Sequence, residues 1–379
     1  MVPRGIPGGA LAVVRERRLV YARSYGLADR EKGIAATPET LFRIASLSKP
    51  ITAVAILKLV DQGRLALDSP AWKILALEPP TAANRTSTVD PRQARITVRH
   101  LLNHTGGWDR EKSLDPMFSS IKIADNLGAP RPATADMIVR YMAGQPLNSD
   151  PGTRYAYSNF GYCLLGRIIE KLSGETYEQF VRKQILAPLG IKGMRIGATL
   201  DGKQAPSESR YYTSEEKVTA SVFTEAPENV ALPYGGFCLE SMDAHGGWIA
   251  SVKDLARFAA ALEDPEGCRI LSAPVLRCMA EAPPPPVWRT TGGELAPAYY
   301  GCGWMVRPVG HSGKVNLWHS GSLPATASLM VRRWDGLSWA VLFNKRSDNL
   351  EIPDGAIDPA LHRAAGATRK WPRGEVFFK

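Results

Sequence analysis

Phe42-Arg43-Ile44-Ala45-Ser46-Leu47-Ser48-Lys49-Pro50 is the stretch whose reading decides the fold. A serine hydroxyl is a poor nucleophile at neutral pH and needs an adjacent base. Residues three apart on a helix share one face. A helix starting near Ser46 therefore sets the Lys49 amine one turn up, beside the Ser46 oxygen. Pro50 supports that start, because proline is tolerated in a first turn and not deep inside a helix. Ile51, Val54, Ala55 and Leu59 continue as an apolar helix face. Burial of such a helix disfavours a charged lysine, and a neutral lysine accepts the serine proton. Ser48 has no such partner, since Ile51 stands three residues beyond it. The Ser-x-x-Lys spacing recurs by chance in chains of this length, so it acquires meaning only from other motifs.

The surrounding chain sets bounds. Its 379 residues are 44% hydrophobic and 22% charged, the balance of an ordinary globular protein with one large or two ordinary domains. The net charge of +10 is scattered apart from short groups such as Arg15-Glu16-Arg17-Arg18 and Arg332-Arg333. A solvated basic surface is the expectation, because nucleic-acid binding needs a clustered stripe and a known module. No run reaches the roughly 18 apolar residues of a membrane span. Residues 8–14 follow no charged leader and continue like a strand, so no signal peptide is expected. The compartment stays open: cytoplasmic, or periplasmic or secreted if a leader was trimmed. Cys163, Cys238, Cys268, Cys278 and Cys302 are odd in number and lack C-x-x-C spacing, which predicts free thiols rather than disulfides or zinc. No metal and no cofactor are expected.

Residues 10–14 and 19–23 read as a β-hairpin. Gly63 ends the helix that begins at Ser46. Residues 77–95 look like a surface excursion, and 96–103 read as a short helix closed by His104-Thr105-Gly106-Gly107. Residues 109–133 lack periodicity and suggest a long loop or a lid. A loop over 151–159 feeds a helix carrying Leu165, Ile168, Ile169 and Leu172, which Gly174 stops. Thr176 with Gln179, and Ser251 with Asp254, are helix-capping pairs. Residues 201–240 read as irregular, and the proline run 283–286 as an extended connection. The tail carries strand-like runs at 302–306, 325–331 and 338–343, with a helix near 359–365.

β-structure thus falls at both ends and helices in the middle. End strands need partners to bury their apolar faces. One antiparallel sheet built from both chain ends is expected, an α+β fold. Its domain comprises 1–62 and 241–379, with a mostly helical domain over 63–240.

Two further motifs bear on Ser46. Tyr157-Ser158-Asn159 lies in the loop just before a helix, where a tyrosine facing the Ser-Lys pair relays a proton to a leaving group; its alternative is a packing tyrosine. His319-Ser320-Gly321 precedes the 325–331 run, where a strand edge offers a backbone N–H to an oxyanion. A second H-x-G triplet, His311-Ser312-Gly313, competes, and the later copy is preferred because it leads into a strand.

Ser46-x-x-Lys49, Tyr157-x-Asn159 and His319-x-Gly321, in this order, resemble the serine β-lactamase and penicillin-binding-protein family. The nearest branch holds class C β-lactamases, DD-peptidases, D-aminopeptidases and family VIII carboxylesterases. The resemblance runs over nearly the whole chain. It implies Ser46 as acylated nucleophile, Lys49 and Tyr157 sharing base and acid work, and Asn159 bonding Lys49 or the substrate amide. It also implies the backbone N–H groups of Ser46 and Ser322 as oxyanion hole. Class C β-lactamases carry Lys-Thr-Gly where this chain has His319-Ser320-Gly321, so the lysine that would hold a substrate carboxylate is missing. No G-x-S-x-G elbow occurs, against an α/β-hydrolase. The function implied is a serine hydrolase acting on a small ester or amide, first a carboxylesterase on small acyl esters with weak β-lactam turnover. The alternatives are a β-lactamase, or a penicillin-binding or D-amino-acid peptidase-like protein that turns over slowly. His245 reads as a turn residue or a cleft residue, His104 as a helix cap. Trp108, Trp318 and Tyr234 are candidates for an aromatic acyl pocket or for core.

Overall fold

The computed structural model describes residues 5–76, 90–213, 216–346 and 356–378. Strand β1 (Gly8–Arg15) turns back into β2 (Arg18–Asp29) through Glu16 and Arg17, both at positive φ, 50° and 60°. A two-residue turn of that hand matches the twist of the flanking strands. Short strands β3 (Ile34–Ala35) and β4 (Phe42–Arg43) lead to helix α1 (Ser48–Asp61). The middle of the chain holds α2 (Ala71–Leu75), α3 (Val98–Leu102), α4 (Ser120–Leu127), α5 (Ala135–Ala143), α6 (Asn159–Ser173) and α7 (Tyr177–Val181). Strand β5 (Arg195–Ile196), the hairpin β6 (Val218–Ala220) and β7 (Asn229–Ala231), and β8 (Trp248–Ala250) follow. Then come α8 (Val252–Ala261), α9 (Ala273–Arg277), β9 (Tyr299–Tyr300), β10 (Met305–Pro308), β11 (Val315–Leu323), β12 (Thr326–Arg332) and β13 (Leu337–Phe343). The chain closes with α10 (Ile357–Ala367) and β14 (Glu375–Val376).

Both chain ends meet in one antiparallel sheet, in the order β14-β2-β1-β13-β12-β11-β10-β9, with β3 attached to β2. The α+β architecture expected from the terminal strands is present. Strand β13 is buried at all seven positions, as a continuous apolar run requires when both faces are covered. Ala340 and Leu342 join the main core with Leu255, Phe258 and Ala259 of α8. Trp339, Val341 and Phe343 face the other way, under Ile357, Leu361 and Ala365 of α10.

Helix α1 is buried nearly all round rather than on one face, as an apolar helix inside a large core is. The capping boxes at Thr176/Gln179 and Ser251/Asp254 are formed, and Gly174 closes α6 in the left-handed conformation. No helix among the described residues is long and apolar enough to cross a membrane.

Several expectations need correction. The 109–133 segment is no plain loop: Asp115 caps a 3-10 turn (Pro116–Phe118), and α4 follows, stopped by Gly128 at φ 60°. Eight residues around Asp125 and Asn126 gave too short a period to stand out. The His319 triplet precedes β12, as expected, but itself lies inside β11, whose buried positions are Leu317, His319, Gly321 and Leu323. The rival His311 triplet falls in the β10–β11 turn. The strand expected at 302–306 begins only at Met305, because Gly303 at φ 82° turns the chain against α1: a Cβ there would meet that of Ala53 at 2.4 Å. Residues 201–240 contain the β6–β7 hairpin. Of the excursion at 77–95, residues 77–89 lie outside the described residues, and Pro91–Arg95 form a 3-10 turn.

The sheet grips the chain just before α1. Ser328 of β12 donates its hydroxyl to the Ile44 carbonyl at 2.8 Å, and both residues are fully buried. Ser328→Ala should leave that carbonyl with only the Leu47 N–H, at 3.1 Å, and cost about 1 kcal/mol. Urea unfolding measures this, and a loss under about 0.5 kcal/mol, the range of an ordinary surface change, would show that the bond is not a structural tie.

Candidate active site

Ser46 sits on a 3-10 turn (Ala45–Leu47) that runs directly into α1. Ala45 is held at φ 49°, a conformation that costs a non-glycine residue roughly 1–2 kcal/mol. Three hydroxyls hold the turn in that shape. Thr326 reaches the Arg43 carbonyl at 2.9 Å, Ser328 the Ile44 carbonyl at 2.8 Å, and Ser48 the Ala45 carbonyl at 2.7 Å. Ser48 is fully buried and also accepts the Trp248 N–H at 3.3 Å, so its work is structural. From below, the fully buried Arg43 side chain donates to the carbonyls of Pro233 and Ala198 and stacks on Tyr211.

Lys49 is completely buried. Its Nζ lies 3.0 Å from Ser46 Oγ, 2.8 Å from Asn159 Oδ1 and 3.0 Å from the His245 carbonyl. Burial, the largest influence, holds the amine well below the ordinary lysine value, with Asp115 opposing and Arg110 reinforcing the shift. A neutral amine has two N–H groups and one lone pair. The two carbonyl-type oxygens accept but cannot donate, so they take the two N–H groups. The lone pair is left facing the Ser46 hydroxyl. His245 thus matters through its main chain, while its buried ring stays neutral, its pKa lowered by burial and by Lys49.

Asn159 opens α6, with Ser158 as N-cap accepting the Gly161 N–H. Tyr157 precedes it, half-buried, its ring 4.7 Å from Lys49 Nζ. Burial raises the Tyr157 phenol above its ordinary value, while its hydrogen bond to Ser46 pulls the other way. At neutral pH it is a phenol and can act as a proton donor. Behind it stands His104, at φ 56° and 1% exposed. The His104 ring lies 4.3 Å from the Tyr157 ring and 4.4 Å from that of Tyr300, and its Nδ1 accepts the Ser158 N–H. His104 therefore does more than end a helix, a role shared by Asn103, the C-cap of α3: it backs the tyrosine loop.

Strand β11 passes along the Ser46 turn. A Cβ on Gly321 would stand 2.3 Å from the Ile44 carbonyl oxygen and 3.2 Å from Ser46 N, which explains the glycine in the triplet. Ser322 follows on the same strand, its Oγ 3.2 Å from an Arg346 nitrogen. His319 Nδ1 faces the Ser320 carbonyl at 2.7 Å and so carries the proton. Its Nε2, 2.9 Å from the Tyr300 hydroxyl, accepts. Burial first, and Lys49 second, push the imidazole down to about 3. It is uncharged at neutral pH, so it cannot replace the cation of a Lys-Thr-Gly motif.

Asp115, Arg110, Tyr300 and Arg346 were not found by sequence reasoning. Asp115-Pro116 is a legible turn start, but nothing local says that its carboxylate reaches Asn159 44 positions on. The three aromatic candidates are placed elsewhere. Trp108 packs edge-on against Phe160, Trp318 against Arg307 on the α10 side of the sheet, and Tyr234 against Tyr211. Among the described residues, no three His, Cys, Asp or Glu side chains form a metal-binding group.

The family model described as Beta-lactamase matches residues 1–363. Esterase EstB of Burkholderia gladioli is 34% identical over 50% of this chain and 47% of its own length, so the matched part is about half of that relative. A penicillin-binding protein of Bacillus subtilis (strain 168) is 27% identical over 91% of this chain and 69% of its own. The structure of D-amino acid amidase from Ochrobactrum anthropi SV3, complexed with L-phenylalanine amide, is similar at TM-score 0.72 and 25% identity, covering 97% of this chain and 96% of that one.

Gly321→Ala should displace β11 from the Ser46 turn. The expected outcome is a loss of turnover of roughly 10²-fold or more, the size of a lost oxyanion donor, with an unchanged far-UV circular dichroism spectrum. Retention of near-full turnover would mean that the strand edge takes no part.

Proposed function

Because this chain belongs to the beta-lactamase family, we propose that it is a serine hydrolase working through a covalent acyl-enzyme, with small acyl esters as first substrate class. The observation that carries this reading is the fully buried Lys49 amine, its Nζ within hydrogen-bond reach of Ser46 Oγ, Asn159 Oδ1 and the His245 carbonyl. Ser46 Oγ attacks the substrate carbonyl carbon while its proton passes to Lys49. The carbonyl oxygen becomes an oxyanion, received by the N–H groups of Ser46 and Ser322. Ser46 N–H lies in the first helical turn, where main-chain donors lack intrahelical acceptors. The carbon–oxygen bond to the alcohol then breaks. Tyr157 gives its proton to the departing alkoxide and recovers one from Lys49. Water, deprotonated by the same pair, hydrolyses the acyl-enzyme and restores Ser46.

Esters are favoured over carboxylate-bearing β-lactams and peptides because His319 is uncharged and bonded on both ring nitrogens. One observation supports an amidase or peptidase reading: Arg346 brings a guanidinium to Ser322 on the same strand. A panel of p-nitrophenyl esters, D-amino acid amides and a chromogenic cephalosporin decides between them. Ester turnover above the other two is expected, and amide turnover exceeding it would favour the second reading. Ser46→Ala should abolish all turnover, and a phosphonate should label the peptide holding Ser46. Label on Ser48 or Ser320 would overturn the assignment.

The lysine also leaves a mark on stability. Its folded pKa lies below its unfolded value, near 10.5, so the unfolded chain binds the extra proton between the two. Stability must then rise with pH across that window, with a positive slope from this group alone. Lys49→Met removes that slope. Relative to wild type, the variant should lose ground in Tm between pH 7 and pH 9. A Tm difference independent of pH would mean that Lys49 is charged in the folded protein.

A further inference from the structure

The geometry points to Asp115, paired with Arg110, as a positioning device that orients Asn159 and thereby keeps the Lys49 lone pair on Ser46. This rests on the reading of Ser46 and Lys49 as nucleophile and base. A primary amide has an accepting end and a donating end, and Lys49 requires the accepting one. Asp115 Oδ2 takes the Asn159 Nδ2 proton at 2.6 Å. A carboxylate cannot donate, so this contact permits only the amide orientation that turns Oδ1 to Lys49, at 2.8 Å. Turned over, the amide would donate into the amine lone pair and take it from Ser46.

Asp115 is itself held. Its Oδ1 accepts the Met117 N–H at 3.1 Å, and its main-chain carbonyl accepts from Phe118 N and Ser119 Oγ. An Arg110 nitrogen lies 4.0 Å from Oδ2, and the Arg110 guanidinium covers the Tyr157 ring at 4.8 Å. The pair therefore spans both proton-carrying groups of the site from one short segment.

Every element around Lys49 contributes to its surroundings. Ser46 comes from the turn before its own helix, Tyr157, Asn159 and Tyr162 from the loop and first turns of α6, and the His245 carbonyl from the turn before β8. His104 and His319 are neutral. The formal charges acting on it are those of Asp115, which favours the ammonium form, and Arg110, which disfavours it. Removing each must shift the Lys49 proton affinity in opposite directions.

The test is the rate of Ser46 phosphonylation by a fluorophosphonate between pH 5 and 10, which does not depend on knowing the natural substrate. In wild type the rate should rise with pH as Lys49 loses its proton. Asp115→Ala should slow the plateau roughly 10- to 100-fold, the scale of a misplaced catalytic group, and move the rising limb to lower pH. Asp115→Asn, which retains an acceptor for the turn, should move the limb the same way. Arg110→Gln should move it to higher pH. A limb that stays fixed in all three, or moves one way for both partners, would reduce Asp115 to a helix-turn cap and overturn the proposal. Lys49→Met separates the two layers. A limb surviving in its residual rate would show that Lys49 is not the base, and the functional reading would fail; loss of that limb with fixed limbs in the other variants would fail the positioning role alone.

Discussion

The three hydroxyl-to-carbonyl bonds on residues 43–45 are the constraint on which the site depends. They hold Ala45 at positive φ, where a residue with a side chain is disfavoured by roughly 1–2 kcal/mol. Each buried bond contributes about 1 kcal/mol net, so together they outweigh the strain. Two of their donors come from β12 and one from the start of α1, so the turn is tied to both sheet and helix. That tie presents Ser46 at the head of α1 with β11 at its side.

Desolvation governs the chemistry. Lys49, His104, His245 and His319 all lie below their ordinary pKa values chiefly because burial penalises the charged form. The chain carries a net charge of +10, yet burial in the interior of its site works against the charged form of each basic group there. In the proposed mechanism a lowered amine pKa lets Lys49 serve as base, and the uncharged His319 offers no cation to a substrate carboxylate. Asp115 and Arg110 supply charges of opposite sign at the margin of the same interior.

Close approach is the second requirement. Gly321 brings a bare backbone against Ile44 and Ser46, and Gly303 does the same against Lys49 and Ala53. Both glycines serve packing between elements distant in sequence. Gly321 is not explained by the strand in which it lies, whereas Gly303 also carries the left-handed φ of 82° that its turn needs.

By itself the sequence determined the hairpin at the start, the helix after Ser46, the capped helices at Thr176 and Ser251, and the return of the tail to the first strands. All but the last are local, set by turn chemistry, capping pairs and apolar runs that act within a few residues; the return of the tail follows from the need of end strands for partners. It also marked Ser46, Lys49, Tyr157 and Asn159, because the order of their motifs resembles that of a known family, where spacing alone left them open. The tertiary structure alone decided which way Asn159 faces, that His245 acts through its carbonyl, that Ser48 braces the turn, and that His319 is neutral. It alone placed the His319 triplet within a strand, since only Leu317 and Leu323 flank the buried His319 and Gly321 as aliphatic positions of β11. Those outcomes depend on burial and on contacts across tens to hundreds of residues, and a residue's identity does not encode its solvent exposure or the partner that arrives from the far end of the chain.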